Sequence, residues 1–143
     1  IELCYDTPCE RNLCGNCRKC IDACPGNALS SEGLDARKCL SYLTIEHRDE
    51  LPENIGEKMG NCFYGCDRCR TVCPHNRFAT PNTTPELQPS EALLQMTKEK
   101  WSTLTKEEYK TLFKHSAVER CKYEQLMRNI AALGTNDKTG SQQ

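Results

Sequence analysis

The sequence is poor in the material of a large hydrophobic core. Hydrophobic residues make up 37% of its 143 residues, aromatic residues make up 6%, and there is one Trp. No run approaches the roughly 18 apolar residues of a membrane-spanning helix, and the opening IELCYDTPCERN lacks the basic start and apolar stretch of a signal peptide. We therefore expect a cytoplasmic chain without a membrane segment, stabilised by metals or cross-links as well as by burial.

The sequence also lacks an excess of charge of either sign. Its 19 Lys and Arg residues and 20 Asp and Glu residues leave a formal net charge of −1. Such a chain does not attract nucleic acid or anionic lipid over its whole surface, so any nucleic-acid contact must come from a local basic patch.

Cysteine, by contrast, is abundant, with 12 residues in the chain. Disulfide-rich secreted domains are typically shorter than about 100 residues and follow a signal peptide. This chain is longer, and its first residues carry no such signal. We therefore expect thiols that bind metal or stay reduced, and a disulfide framework is the less favoured alternative.

Two cysteine runs have the spacing of iron–sulfur ligands. The first, CGNCRKCIDACP at 14–25, has the C-x2-C-x2-C-x3-C-P pattern of two-cluster ferredoxins, and CDRCRTVCP at 66–74 repeats its last three cysteines. In that pattern the last cysteine serves the other cluster, whereas zinc ribbons use isolated C-x2-C pairs. We therefore predict two 4Fe–4S clusters. Cluster 1 is bound by Cys14, Cys17, Cys20 and Cys73, and cluster 2 by Cys24, Cys66, Cys69 and one further cysteine.

The identity of the eighth ligand does not follow from spacing. The ferredoxin pattern puts it at position 63, which is Phe. Cys62 misses that position by one residue, whereas Cys39 lies 15 residues beyond Cys24, far enough for the chain to return to cluster 2. Spacing alone does not choose among the candidates. These are Cys4, Cys9, Cys39, Cys62 and Cys121.

The organisation of the chain changes after the second run. The predicted divisions are a two-cluster ferredoxin-like domain at 1–80, a proline-containing linker at 81–89, helices at 90–134 and a disordered tail at 135–143. Within the first division, CLSYLTIEH at 39–47 fits either a strand or a helix. In the second half, Ser90 is predicted to cap one helix through EALLQMTKEKWSTL.

Two capping boxes predict further helices. Thr105 with Glu108 opens a short helix, and Ser116 with Glu119 opens a longer one that runs to Leu133. The second helix has an inner apolar stripe made of Val118, Cys121, Leu126, Met127 and Ile130.

Three longer segments carry a resemblance to a known family. They are YDTPCERNLCGNCRKCIDACPGNAL, LDARKCLSYLTIEHR and MGNCFYGCDRCRTVCPHNRFA, within residues 5–79. In this order they resemble epoxyqueuosine reductase, a cobalamin-dependent iron–sulfur enzyme that completes the queuosine modification of tRNA. FKHSAVERCKYEQLMRNIAALG at 113–134 is similar to the family's HEAT-like C-terminal helices. We expect a fold that is mainly α with little β, in which a two-cluster 4Fe–4S ferredoxin-like module precedes a small HEAT-like helical region.

The resemblance implies an identity for the eighth ligand. The family has a cysteine just before the SYLTIEHR segment, and this position falls on Cys39. At the position of Cys62 the family usually has a basic residue, which makes Cys62 a bystander. Cys4, Cys9 and Cys121 also fall outside the ligand pattern, and Cys121 is interpreted as a small buried hydrophobe on a helix.

The resemblance further implies contacts with cobalamin and with tRNA. The residues expected beside cobalamin are Ser41, Gly65, Cys66 and Asp67. The residues expected near tRNA are Arg48, Arg120, Lys122 and Arg128. For these four the alternative is an ordinary surface charge, since the last three do not share one helical face. Electrons from a donor such as flavodoxin or ferredoxin would enter at cluster 1, pass to cluster 2 and reach cobalt, and the reduced cobalamin would drive loss of the epoxide oxygen as water.

The family's cobalamin-binding catalytic region precedes the ferredoxin module, and this sequence does not contain it. We therefore expect the C-terminal portion of such an enzyme, a monomer that is not active alone. The main alternative is a free-standing two-cluster ferredoxin-type carrier, which would not need the helices at 90–134. A reductive-dehalogenase-type electron module also pairs a ferredoxin with cobalamin, but LDARKCLSYLTIEHR fits it less well.

Overall fold

A computed structural model describes residues 2–8, 10 and 12–134. The α-helices are α1 (Lys19–Asp22), α2 (Leu40–Ile45), α3 (Ile55–Met59), α4 (Arg68–Thr71), α5 (Glu91–Leu94), α6 (Lys98–Ser102), α7 (Lys106–Leu112) and α8 (Tyr123–Gly134). Short 3₁₀ helices span Ala36–Lys38, Pro74–Phe78, Pro85–Leu87 and Ala117–Arg120, and the strands are β1 (Leu29–Ser30) and β2 (Gly33–Leu34). The predicted class, mainly α with little β, is confirmed. Cys9 and the predicted tail at 135–143 lie outside the described residues.

A short hairpin follows the first cysteine run. Strands β1 and β2 are antiparallel and pair Leu29 with Leu34 and Ser30 with Gly33. Gly33 has a φ of +135°, a conformation that favours glycine. Asp35 then caps the first 3₁₀ helix by accepting a hydrogen bond from the N–H of residue 37 at 3.2 Å. The hairpin thus reverses the chain direction, so that the segment leading to Cys39 runs back past the end of the first cysteine run.

One hydrophobic cluster joins the cysteine-rich half to the last helix. The segment at 39–47 forms helix α2, and its apolar side chains pack on those of α3. The buried members are Leu40, Leu43, Ile55 and Met59. Ala132 and Leu133 of α8 pack against them. The domain boundaries remain a prediction, and the two halves share this core.

A second hydrophobic cluster lies among the C-terminal helices. Its buried members are Leu104, Tyr109, Phe113, Cys121 and Leu126. The ring of Phe63 packs against this cluster with its centroid 4.9 Å from that of Trp101. Phe63 also packs against the first cluster, so the residue three positions before Cys66 connects the two cores.

The predicted helix from Ser90 is divided. Ser90 does cap a helix, because its Oγ accepts a hydrogen bond from the Leu93 N–H at 3.3 Å. That helix is only α5, and Thr97 begins α6 by accepting from the Lys100 N–H at 3.3 Å. The prediction of one helix was wrong because a threonine hydroxyl can satisfy the backbone in place of the preceding turn.

The capping box at Thr105 is confirmed. The Thr105 N–H donates to Glu108 Oε2 at 2.8 Å, and the Glu108 N–H donates to Thr105 Oγ1 at 3.2 Å. The capping box therefore provides partners for two backbone N–H groups at the start of α7, those of Thr105 and Glu108.

The predicted helix from Ser116 is wrong in its first part. Ser116 caps only a 3₁₀ helix, accepting from the Val118 N–H at 3.0 Å. The backbone at Cys121 is extended, and α8 starts at Tyr123. The Tyr109 hydroxyl is within hydrogen-bond distance of the Val118 and Cys121 carbonyls, which holds this segment out of a continuous helix.

The described part of the chain contains no helix that is both long and apolar enough to span a membrane.

Replacement of a buried leucine tests the second hydrophobic cluster. Leu126 on α8 is fully buried, so Leu126→Ala should lower the free energy of unfolding by about 2–5 kcal/mol through lost burial and a cavity. Urea unfolding followed by circular dichroism measures the change. The control is Leu94→Ala, because Leu94 is 70% exposed and should change stability by less than about 0.5 kcal/mol. Equal losses in the two variants would contradict the assignment of the core.

Candidate iron–sulfur centre

The two cysteine runs fold as a repeated unit. Helices α1 and α4 are each preceded by a residue with similar backbone angles, Arg18 (φ −120°, ψ 6°) and Asp67 (φ −111°, ψ 15°). After each helix a cysteine N–H donates to the carbonyl three residues earlier, at 3.2 Å for Cys24 and 3.1 Å for Cys73. Helix α1 packs against α4, so the two units lie side by side.

Cysteines of both runs lie near one another. Burial raises the pKa of the Cys69 thiol, and the thiolates of Cys66 and Cys24 raise it further, while backbone N–H groups act in the opposite direction. Like charges shift a pKa appreciably only at short range. The contact between the runs rests on the packing of α1, which contains Cys20, against α4, which contains Cys69.

A close backbone contact joins the exit of the first run to the segment before Cys39. A Cβ added to Gly26 would lie 2.0 Å from the Lys38 carbonyl oxygen, so only glycine fits here. The Ala28 N–H donates to Cys24 Sγ at 3.2 Å, which orients that sulfur. The residue two positions after Cys24 therefore lies against the residue directly before Cys39.

Helix α2 connects Cys39 to the second run. Cys39 is the residue immediately before α2 and is half-buried. At the other end of the helix, the fully buried Thr44 accepts a hydrogen bond from the Gly65 N–H at 3.0 Å. Gly65 has a φ of +73° and directly precedes Cys66. The predicted eighth ligand and Cys66 are thus linked through one six-residue helix.

The end of the centre that carries the predicted ligands of cluster 1 is more open. Cys14 and Cys17 are exposed, whereas the other six predicted ligands are half-buried. Asn12 Oδ1 accepts from the Cys14 N–H at 3.0 Å. His75 Nε2 lies 3.2 Å from the Leu13 carbonyl oxygen, so this nitrogen is the donor, and the contact joins the start of the first run to the end of the second.

Two of the residues predicted beside cobalamin, Ser41 and Gly65, both contact Thr44 of helix α2. Ser41 is half-buried on that helix, and its carbonyl is 3.4 Å from Thr44 Oγ1. Gly65 bonds to the same hydroxyl. Asp67 is exposed at the start of α4 and pairs with Arg70 at 3.5 Å. The structure therefore brings Ser41, Gly65 and Cys66 together, and their contact with cobalamin remains a prediction.

Arg48 and Arg120, two of the four residues predicted near tRNA, meet beyond the C-terminal end of α2, the end at which Gly65 bonds to Thr44. Arg48 donates to Gln125 Oε1 and to the Arg120 carbonyl, the latter at 3.3 Å. Arg120 forms an ion pair with Glu46. The Lys122 side chain is exposed, and its N–H donates to Gln125 Oε1 at 3.2 Å. Arg48 and Arg120 thus lie beside each other, whereas Lys122 lines a separate pocket with Glu119 and Glu124.

Arg128 has a structural role in addition to the predicted one. Its Nη2 donates to the Leu43 carbonyl at 3.2 Å, and its Nη1 donates to the His47 carbonyl at 3.1 Å and to the Asp49 carbonyl. The guanidinium thus satisfies carbonyls at and beyond the end of α2. Arg48 and Arg128 line an open pocket of about 450 Å³. Nucleic-acid binding at Arg128 remains a prediction.

Among the remaining described cysteines, Cys121 is fully buried, as predicted, and its Sγ lies 3.4 Å from the Thr44 carbonyl oxygen. The prediction that it lies on a helix was wrong, because Cys121 follows a 3₁₀ helix and has an extended backbone. Cys62 is half-buried, and Cys4 is exposed. Within residues 2–8, 10 and 12–134, no three His, Cys, Asp or Glu side chains converge on one point as a single metal ion would require.

Sequence reasoning missed two residues that support the centre, Thr44 and Asn129. Both are fully buried, and the side chain of Asn129 donates to the Thr44 carbonyl at 2.7 Å. One signal was available for Asn129. It lies between Leu126 and Ile130 on the inner face of α8, where a polar residue requires buried partners.

A family model described as a 4Fe–4S double cluster binding domain matches residues 13–76. The matched segment contains both cysteine runs and Cys39. Together with the folded centre, this match defines an iron–sulfur protein of the double-cluster class.

Known proteins refine this class. The chain is 47% identical over 135 residues to an epoxyqueuosine reductase of Leadbetterella byssophila, which covers 91% of the chain and 44% of that protein. The structure resembles epoxyqueuosine reductase from Bacillus subtilis with a TM-score of 0.80, at 33% identity, over 92% of this chain and 35% of that one. It also resembles an epoxyqueuosine reductase solved with a tRNA-Tyr epoxyqueuosine-modified stem loop, with a TM-score of 0.78, 34% identity, and coverage of 90% of this chain and 34% of that one.

The chain belongs to the epoxyqueuosine reductase family. It spans less than half the length of the relatives it matches, 44% and 41% for two of them.

The close approach of Gly26 to Lys38 provides a test of the centre. Gly26→Ala puts a methyl group against the Lys38 carbonyl, which should push Cys39 away from Cys24 and reduce the iron bound after anaerobic reconstitution to about half. Iron and sulfide analysis measures this. The control is Gly33→Ala, since Gly33 has a strained φ of +135° but no atom within 4 Å of an added Cβ. Full iron in Gly26→Ala would show that Cys24 and Cys39 do not bind one cluster.

Proposed function

We propose that this chain is the electron-delivery and tRNA-docking portion of an epoxyqueuosine reductase, an oxidoreductase that reduces epoxyqueuosine to queuosine in tRNA. The observation that carries the proposal is the joining of Cys24, Cys39 and the second run through Gly26, α2 and Gly65. Family membership supports the substrate class. The chain spans less than half the length of its relatives, and we propose that these residues alone do not catalyse the reduction, which requires the cobalamin-binding part of a complete enzyme.

The cysteines present fit two four-iron clusters. Eight thiolates are needed, and the packing of α1 against α4, which carry Cys20 and Cys69, supports an arrangement in which the two runs share their ligands. We assign cluster 1 to Cys14, Cys17, Cys20 and Cys73, and cluster 2 to Cys24, Cys39, Cys66 and Cys69. When bound, such clusters supply transfer of single electrons. The chain contributes partial burial and N–H donors, such as the Ala28 N–H on Cys24 Sγ at 3.2 Å, which tune the potential.

The exposure of the cysteines supports a direction for electron flow. Cys14 and Cys17 are exposed, so that end of the centre is open to an electron-donating protein such as flavodoxin or ferredoxin. The opposite end carries Ser41, Gly65 and Asp67 beside Cys66, and we propose that these residues adjoin cobalamin in the complete enzyme. Electrons would then pass from the donor through cluster 1 and cluster 2 to cobalamin, along the two packed cysteine runs. We propose that the chain acts as a monomer.

The surface beyond α2 supports docking of tRNA. Arg48 contacts the Arg120 carbonyl there and lines one pocket with Arg128, and Lys122 is exposed just before helix α8. One solved relative was determined with a modified tRNA stem loop. Lys122 is exposed, and its charge, together with that of Lys106, lowers the pKa of the Glu124 carboxyl without forming a close ion pair to it among the described residues. Arg120, in contrast, shares its charge with Glu46, so we expect Lys122 to contribute the larger part of phosphate attraction.

The eighth ligand is tested by two cysteine variants. Cys39→Ala removes one of four thiolates from cluster 2 and should retain about half of the iron, because cluster 1 keeps all its ligands. Cys62→Ala is the matched control and should retain all of it. Iron and sulfide are measured after anaerobic reconstitution. If the two outcomes were exchanged, Cys62 would be the ligand and the assignment of Cys39 would be wrong.

The docking surface is tested by the salt dependence of binding. Lys122→Gln should weaken binding of a queuosine-type tRNA stem loop and reduce the slope of log K against log salt concentration by about one, because one phosphate contact is lost. Fluorescence anisotropy across a salt series measures this. Lys114→Gln, a change at another exposed lysine, should leave the slope unchanged. Absence of binding by the unmodified chain would favour a plain electron carrier.

A further inference from the structure

The amide of Asn129 is buried and fully bonded. Its Nδ2 donates to the carbonyl oxygens of Thr44 at 2.7 Å and Phe63 at 3.0 Å. Its Oδ1 accepts from the guanidinium of Arg128 at 3.2 and 3.0 Å. Because two carbonyls face one end of the amide and two N–H donors face the other, the amide has a single allowed orientation. Asn129 therefore binds the backbone of two distant segments at once.

Thr44 completes the connection. Its Oγ1 donates to the Leu40 carbonyl at 2.7 Å and accepts from the Gly65 N–H at 3.0 Å. Its own carbonyl accepts from Asn129. Gly65 is therefore bonded to Thr44 directly, and Phe63 is connected to Thr44 through the Asn129 amide, within the three residues before Cys66.

We propose that Thr44 and Asn129 are positioning residues for cluster 2, which hold the backbone before Cys66 against the helix that follows Cys39. The inference rests on the ligand set of the proposed function. Residues 63–65 are fixed to the end of α2, and α2 itself starts at Cys39, so the spacing between the two ligands is set by one helix and three hydrogen bonds. Hydrogen bonds outside the ligand set commonly control how well a metal site retains its metal.

The contacts act on one cluster and not on the other. Within the described part of the chain, no hydrogen bond of the Thr44 or Asn129 side chain reaches residues 12–20 or Cys73, where the proposed ligands of cluster 1 lie. A purely structural role would affect the whole fold and therefore both clusters. A positioning role should change the retention and reduction potential of cluster 2 alone.

The first test replaces the hydroxyl of Thr44. Thr44→Val keeps the shape of the side chain but removes the group that accepts from the Gly65 N–H, whereas Thr44→Ser keeps the hydroxyl. The full 143-residue chain is reconstituted anaerobically and exposed to an iron chelator, and iron release is followed with time. In Thr44→Val about half of the iron should leave roughly ten-fold faster or more, and the other half at the original rate. Thr44→Ser should behave like the unmodified chain.

The second test replaces the amide and covers the case in which Thr44→Val does not fold. Asn129→Leu should accelerate loss of the same half of the iron and shift the potential of one cluster in a redox titration followed by electron paramagnetic resonance. Gln125→Met is the matched control. It also removes a buried amide from α8, one that donates to the His47 carbonyl at 2.8 Å, but it does not touch residues 63–65. Gln125→Met should leave both clusters unchanged.

The outcomes separate this inference from the proposed function. An unmodified chain that holds well below about eight irons contradicts the ligand set, and the inference falls with it. If the unmodified chain holds about eight, unchanged release in Thr44→Val and Asn129→Leu would overturn the positioning role alone. Equal acceleration of both halves of the iron, or the same effect in Thr44→Ser or Gln125→Met, would also overturn it.

Discussion

The hydrogen bonds from α8 to the end of α2 are the interaction on which the rest of the structure depends. A helix leaves its last carbonyls without partners, and here Arg128 and Asn129 donate to those of Leu43 and Thr44 from a helix 85 residues away. Such buried bonds are costly to leave incomplete. Among the described residues, no buried side-chain nitrogen or oxygen lacks a partner. Because α2 is a single six-residue helix, fixing its C-terminal end also fixes Cys39, the residue that precedes its first turn.

The hydrophobic contribution is modest and divided between two clusters that meet at Phe63. Neither cluster encloses the cysteine runs, whose thiols are exposed or half-buried. The part of the chain around residues 12–24 is held by backbone hydrogen bonds and by α1 packing on α4. In such a region the free energy of metal binding contributes directly to folding. The helical half, by contrast, has a core of its own.

The centre was more predictable from sequence than the helices were. The cysteine spacing carries its own geometry, because each run folds locally into the same turn and helix. The breaks at Thr97 and Cys121 depend on competition between local hydroxyl bonds and helix continuation, and at Cys121 on a hydroxyl from Tyr109 in another helix. The partnership of Thr44 with Asn129 spans 85 residues and leaves no periodic trace in the sequence. The one sequence signal for this hydrogen bond was the presence of Asn129, a polar residue, on the apolar face of α8.

The side-by-side packing of α1 and α4 has a consequence for biosynthesis. With the proposed ligands, each run completes the other's cluster, so neither cluster can close on a nascent chain that has emerged only as far as Cys39. Cluster 2 requires Cys69 and cluster 1 requires Cys73, which the ribosome adds last. Until then the thiols of the first run are unprotected and open to oxidation. Cofactor insertion is therefore a late, nearly simultaneous event, and the speed with which the second run emerges sets how long the first one is at risk.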